Sequence, residues 1–222
     1  MDDAAIAVEV IDKLMFEPGL RSHNIIVLVK DGIVTLNGSV RTYVEKYLTE
    51  QATKNLRGIK NVIDKLEVEL DTSLQRSDIA IAEAIVNAIA WDASIKPTGN
   101  VEVTVENGSV ILTGEVDDYY QKKRAAKCIK HMRGIKNIIN HIMVRPIKIS
   151  VDPQDVSKQI MREFQRNASL DAKIIHVVVD GSKVTLKGTV RSWAEKKEAH
   201  KAAWSVPGVT EVNDELVLGY VM

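Results

Sequence analysis

The sequence predicts an α+β protein of three tandem α-β-β-α-β modules, each a three-stranded sheet with two helices on one face. Three observations predict it. First, a Leu-x-Gly-x-Val segment recurs as Leu36-Asn37-Gly38-Ser39-Val40, Leu112-Thr113-Gly114-Glu115-Val116 and Leu186-Lys187-Gly188-Thr189-Val190. Second, a glycine followed by an aliphatic residue comes 20 residues after each segment's glycine, at Gly58-Ile59, Gly134-Ile135 and Gly208-Val209. Third, helical and strand periodicities alternate in the same order within every copy. The copies lie 76 and then 74 residues apart, so the modules span 1–71, 76–146 and 153–222.

Each copy opens with a helix whose apolar residues fall four apart: Ile6, Val10, Leu14; Ile81, Ile85, Ile89; and Val156, Ile160, Phe164. That spacing gathers them on one face. A strand follows over 25–29, 101–105 and 174–179. In the second copy Val101, Val103 and Val105 alternate with Glu102, Thr104 and Glu106, the period-2 pattern of a strand with one wet face. Asp31-Gly32, Asn107-Gly108 and Asp180-Gly181 then signal a tight hairpin, because these pairs accept positive φ. The second strand runs into the Leu-x-Gly-x-Val segment.

The second helix starts with a capping box in every copy: Thr42-x-x-Glu45, Asp118-x-x-Gln121 and Ser192-x-x-Glu195. Its inward face is small: Thr49, Ala52, Thr53, Leu56; Ala125, Cys128, Ile129, Met132; Ala199, Ala202, Ala203, Val206. Small side chains let the helix lie close on the sheet. Gly58, Gly134 and Gly208 are expected to end it as C′ glycines. A last strand closes each module at Leu66-x-Val68, Ile142-x-Val144 and Leu216-x-Leu218. The linkers, about 71–75 and 147–152, are short, so neighbouring modules are expected to touch. Ile26, Leu28, Ile111 and Met143 fall on outward strand positions; burial between modules is the favoured expectation, and a partner or lipid surface the other.

These segments, and the Gly-Ile-Lys-Asn run after the second helix, resemble the BON (bacterial OsmY and nodulation) domain family. The resemblance covers nearly the whole chain. It rests on Gly38 with Gly58-Ile59-x-x-Val62, Gly114 with Gly134-Ile135-x-x-Ile138, and Gly188 with Gly208-Val209-x-x-Val212. The chain looks like an osmotically inducible, OsmY-like member with an extra copy of the domain. The resemblance implies a non-catalytic protein of bacterial envelope stress, associated with phospholipid or with outer-membrane proteins. The family glycines determine fold, so they carry architecture across more safely than function.

The chemistry in the sequence agrees with a binding protein. Thirty basic residues balance thirty acidic ones, so there is no overall pull toward nucleic acid, and no nucleic-acid motif stands out. Cys128 is the only cysteine, which excludes an intrachain disulfide, and on an inward helix face it reads as a small apolar residue. His23, His131, His141, His176 and His200 show no metal spacing, and no phosphate loop or nucleophile elbow occurs. The expectation is therefore no enzyme, no cofactor and no metal. The start Met1-Asp2-Asp3-Ala4-Ala5 lacks the basic and apolar regions of an export signal. The most apolar helix, Ile79 to Trp91, is interrupted by Glu83 and Asn87 and is too short to span a bilayer. As given, the chain reads as soluble and cytoplasmic, or periplasmic if it is a trimmed mature form.

One stretch suggests a binding surface. Between Tyr119 and Lys136 lie Lys122, Lys123, Arg124, Lys127, Lys130, Arg133 and Lys136 with no acidic residue among them, whereas the first half of the same copy is acidic. A basic amphipathic helix beside Tyr119 and Tyr120 suits an anionic phospholipid surface, with the rings at headgroup level. A solvated face docked on an acidic neighbouring module explains the same run. An aromatic also follows each Leu-x-Gly-x-Val glycine by five residues: Tyr43, Tyr119 and Trp193. Packing on the helix start is the favoured reading and an interfacial row the other. Attachment to anionic phospholipid is the leading functional expectation; protein–protein or chaperone binding to envelope proteins through apolar sheet faces is the alternative.

Overall fold

The computed structural model describes residues 2–21, 24–95, 101–145, 152–167, 170, 172 and 174–219. His23 and most of the second linker, 146–151, lie outside the described residues. The first copy comprises α1 (Asp3–Met15), β1 (Ile25–Lys30), β2 (Ile33–Val40), α2 (Tyr43–Lys54) and β3 (Asn61–Val68). The second comprises α3 (Asp78–Trp91), β4 (Val101–Glu106), β5 (Ser109–Val116), α4 (Tyr119–Ile129), β6 (Asn137–Asn140) and β7 (Met143–Val144). The third comprises α5 (Pro153–Arg166), β8 (Ile175–Asp180), β9 (Lys183–Val190), α6 (Trp193–Trp204) and β10 (Glu211–Leu218). The chain divides into two compact units, one holding the first two copies up to Met143 except residues 117–119, the other holding those three residues and Val144 onward.

In every copy the middle strand pairs antiparallel with the hairpin strand and parallel with the last strand. Parallel neighbours need a crossover, and the second helix supplies it. In the first copy Ile6, Val10 and Leu14 of α1, Ala52 of α2, Val34, Leu36 and Val40 of β2, and Leu66 and Val68 of β3 form one buried cluster. Both helices therefore cover the same sheet face. Thr49 and Thr53 sit in that interface by donating their hydroxyls to the Glu45 and Thr49 carbonyls, each at 2.8 Å.

Gly38 and Gly188 are close-approach positions. Gly38 has φ +112°, and a Cβ there would lie 1.9 Å from the Asn24 carbonyl oxygen; at Gly188 (φ +129°) it would lie 2.1 Å from that of Ile174. Four expectations need correction. Gly58, Gly134 and Gly208 do have positive φ, but they lie beyond the helix ends rather than at C′. The chain first makes a tighter turn, with the Leu56 N–H donating to the Thr53 carbonyl, and the glycine then shapes the approach to the last strand. The third hairpin turns on Gly181-Ser182, since Asp180 pairs with Lys183. Positive φ falls there on Gly181 alone, whereas Asp31-Gly32 and Asn107-Gly108 have it at both positions. The last strand of the second copy is in two pieces, β6 and β7, both paired with β5. Finally, Ile26 and Leu28 are 59% and 58% exposed, so the second module does not bury them as expected; Met143 is exposed too, and Ile111 is half-buried.

The capping boxes form in α2 and α6. Thr42 Oγ1 accepts from the Glu45 N–H at 3.2 Å and Ser192 Oγ from the Glu195 N–H at 3.1 Å. The glutamates reach back one residue further than expected, to the Arg41 and Arg191 N–H groups at 3.0 and 2.7 Å. A second tether was not apparent in the sequence. Asp3 at the start of α1 accepts from the hairpin N–H groups of Asp31 and Gly32 at 2.8 and 3.0 Å, and Asp78 accepts from Asn107 and Gly108 at 2.8 and 2.9 Å. Pro153 stands at the equivalent position of the third copy. Asp3→Ala leaves two amides without their carboxylate. Because the site is partly solvated, the expected loss is about 1 kcal/mol, read as a lower urea midpoint with an unchanged slope.

Candidate functional site

The most distinctive surface of the second copy lies where the end of α3 meets α4. Helix α3 is apolar on both sides. Ile81 and Ile85 are buried against the sheet, while Ile79, Val86 and Trp91 face solvent, Trp91 being 87% exposed. Asp92, the residue capping α3, receives the Arg124 Nε–H of α4 at 2.5 Å and the Ser94 N–H at 3.0 Å. Burial alone would raise the Asp92 carboxyl, but these hydrogen bonds and the guanidinium charge outweigh it and hold it below the usual carboxylate range. The tether therefore holds at neutral pH and is lost only as pH falls below the usual carboxylate range.

This pair organises what stands on either side of it. Trp91 precedes Asp92 in the chain. Tyr120 lies one turn before Arg124 on α4 and is 63% exposed. Lys123 and Lys127 lie on the exposed side of α4, as does His131 just past its end. The opposite side of α4 buries Gln121, Ala125 and Ile129.

The basic run proposed from the sequence is thus split. Arg124 is committed to Asp92. Lys130 lies over the Tyr47 ring of the first copy, 4.7 Å from its centroid. Lys122 is half-buried, and burial lowers its ammonium pKa. In the other copies the equivalent lysine is tied down. Lys46 Nζ donates to the Leu66 carbonyl at 2.6 Å and lies 3.6 Å from Asp64; Lys196 Nζ donates to the Leu216 carbonyl at 2.6 Å and lies 3.2 Å from Asp214. Asn140 replaces that aspartate in the second copy and donates instead to the Lys122 carbonyl at 2.7 Å. Among the described residues no carboxylate pairs with Lys122.

The recurring aromatics are half-buried at their own helix starts. Burial raises the Tyr43 and Tyr119 phenols. Tyr119 stacks on Trp204 with centroids 4.4 Å apart, and Lys196 lies 5.6 Å from the Trp193 ring centroid. Burial likewise raises the half-buried Cys128 thiol, as suits a packing residue. Among the described residues no three His, Cys, Asp or Glu side chains gather as metal ligands, and no helix is long and apolar enough to cross a membrane. Sequence reading missed Trp91 and Asp92. The available signal was that α3 holds more apolar residues than its inward face can use.

The BON domain profile matches residues 2–69, 77–146 and 152–220, and the chain belongs to the BON domain family. It is 30% identical over 149 residues to the osmotically inducible protein Y of Escherichia coli, covering 65% of this chain and 74% of that one. It is 26% identical over 145 residues to the outer membrane lipoprotein DolP of Haemophilus influenzae, covering 64% of this chain and 74% of that one. A solved structure of CdsD, a structural protein of the type III secretion system of Chlamydia trachomatis, is similar at 15% identity over 97% of this chain and 92% of that one. Its TM-score is 0.27.

Proposed function

We propose that this chain is a non-catalytic binding protein of the bacterial envelope that attaches to anionic phospholipid surfaces through its second BON domain. The observation that carries this reading is the composite face at the α3–α4 corner. Trp91 and Tyr120 are exposed on either side of the Asp92–Arg124 tether, with Lys123 and Lys127 on the same helix as Tyr120. Amphipathic rings suit the headgroup layer, and lysines beside them suit its negative charge. The names of the two curated relatives, one osmotically inducible and one an outer-membrane lipoprotein, support the envelope and stress setting.

Co-sedimentation with vesicles tests the proposal. The full chain is expected to pellet with vesicles rich in phosphatidylglycerol, to stay in solution with phosphatidylcholine vesicles, and to be released by salt. Each lysine near an anionic surface contributes about 1 kcal/mol, so Lys123→Glu/Lys127→Glu is expected to weaken binding by more than about tenfold. Binding that ignores headgroup charge, or survives the double reversal, rejects it.

A second reading keeps an observation of its own. On the open sheet face of the first copy, Ile26, Leu28, Ile33 and Ile63 are all exposed, and Leu28 and Ile63 flank Thr35 in the ladder. A protein partner suits such a face. It predicts salt-tolerant capture of envelope proteins, lost in Ile26→Lys/Leu28→Lys and kept in Lys123→Glu/Lys127→Glu.

A further inference from the structure

The first helix of the chain carries an exposed apolar stripe that its own fold does not require. Ile6, Val10 and Leu14 are buried beneath α1, yet Ala4, Val8, Ile11 and Met15 are all exposed. Their 4-3-4 spacing places them within an arc of about 60°, the narrow seam through which one helix packs on another. Phe16, next to Met15 at the helix end, is 81% exposed. The corresponding positions of α5 hold Gln154, Lys158, Met161, Gln165 and Arg166. The same fold therefore stands with a mostly polar residue set there, and the stripe on α1 is not a packing requirement.

One side of it is acidic. Asp12 stands about 40° and Glu9 about 100° round the helix from the edge of the stripe, and both are exposed. Over residues 2–17 there are five acidic residues, Asp2, Asp3, Glu9, Asp12 and Glu17, against one basic residue, Lys13, which pairs with Glu17 at 2.7 Å. Module 1 as a whole (1–71) has nine basic against twelve acidic residues, a net −3, while module 2 (76–146) has ten against eight, a net +2. An anionic membrane would be repelled by this border. A two-fold pairing with a second copy would set one acidic border against another.

We infer that the outer face of α1 is a docking seat for a cationic amphipathic helix from another protein. The partner's apolar side chains pack along Val8, Ile11 and Met15, and its lysines or arginines meet Glu9 and Asp12. Such helix-on-helix recognition takes its affinity from the apolar anchors and its selectivity from the charged border. The seat is separate from the α3–α4 corner and stands or falls independently of lipid binding there.

The test uses the full chain and two fluorescent synthetic peptides with leucine at 4-3 spacing, one with lysine borders and one with glutamate borders. Anisotropy titration is expected to show the lysine-bordered peptide binding at least about tenfold more tightly than the other. Val8→Asp/Ile11→Asp removes the stripe while keeping the negative charge, at positions exposed enough to leave the fold intact, and is expected to abolish binding of both. Glu9→Lys/Asp12→Lys keeps the stripe and is expected to reverse the preference, which general damage to the fold would not do. Equal binding of the two peptides, or a preference unmoved by the charge reversal, overturns the proposal. So does a wild-type dimer in sedimentation that Val8→Asp/Ile11→Asp dissociates, since a second copy would then fill the seat. Loss of anionic-vesicle binding in the α1 variants also overturns it, by assigning the stripe to lipid.

Discussion

Gly38→Ala is expected to unfold the first copy. Ile25 is the register partner of Gly38, and the chain entering β1 passes directly over it. A methyl group would sit 1.9 Å from the Asn24 carbonyl oxygen, which is backbone and cannot rotate away. The φ of +112° adds strain for any L side chain. Relief requires β1 to lift from β2, and the sheet side of the cluster around Ile6, Val10 and Leu14 opens with it. The expected cost exceeds about 4 kcal/mol, seen as loss of a corresponding share of ellipticity at urea concentrations where the parent is folded. Gly181→Ala is the control. Its φ is +58°, but nothing lies within 4 Å of the added Cβ, so only the left-handed strain of about 1–2 kcal/mol remains. Equal losses for the two variants would show that conformation, and not the carbonyl overhead, makes these glycines necessary.

Phe164→Ala is expected to be the most damaging truncation in the third copy. Phe164 is fully buried and is the largest such side chain among the described residues. It closes the α5 face behind Val156 and Ile160 and packs among Leu170, Ile175, Val184, Leu186 and Ala203. The corresponding residues of the other copies are Leu14 and Ile89, so this core has been built around the larger ring. Removing it leaves a cavity that small neighbours such as Ala199 and Ala203 cannot fill, at a cost of about 3–5 kcal/mol. Trp193 and Trp204 belong to the same copy and report its unfolding by fluorescence. A loss below about 1.5 kcal/mol would mean that the core repacks freely around the missing ring.

The architecture was readable because each element carries its own local signal and repeats it three times. Four-residue apolar spacing marked the first helices. Positive-φ pairs marked the hairpins, and Thr42 and Ser192 with their glutamates marked two second-helix starts. What escaped was non-local. Asp3 and Asp78 reach hairpins 28 to 30 residues away, and Lys46 and Lys196 reach across to the last strand. No local pattern encodes such pairs. The third hairpin was misplaced by one residue because Asp180-Gly181 imitates the other two, although the ladder puts Asp180 in the strand.

The candidate surface was half readable. Charge counting located α4, but could not foresee that Arg124 is spent on Asp92, that Lys130 lies over Tyr47, or that Asn140 leaves Lys122 without the carboxylate its counterparts possess. Nor could it show Trp91 facing solvent, since the four-residue spacing marked only the Ile81, Ile85 and Ile89 face of α3. Glu83 and Asn87 are the only polar residues of its exposed side, so little in the pattern marked that side as open.

The central claim is that the α3–α4 corner of the second copy enters the headgroup layer of an anionic membrane. Quenching of tryptophan emission by phosphatidylglycerol vesicles with brominated acyl chains tests it most directly, comparing the wild-type chain with Trp91→Phe. The account predicts quenching in the wild type that Trp91→Phe lacks and that phosphatidylcholine vesicles do not produce. Quenching retained in full by Trp91→Phe, or absent when the chain is vesicle-bound, would contradict it.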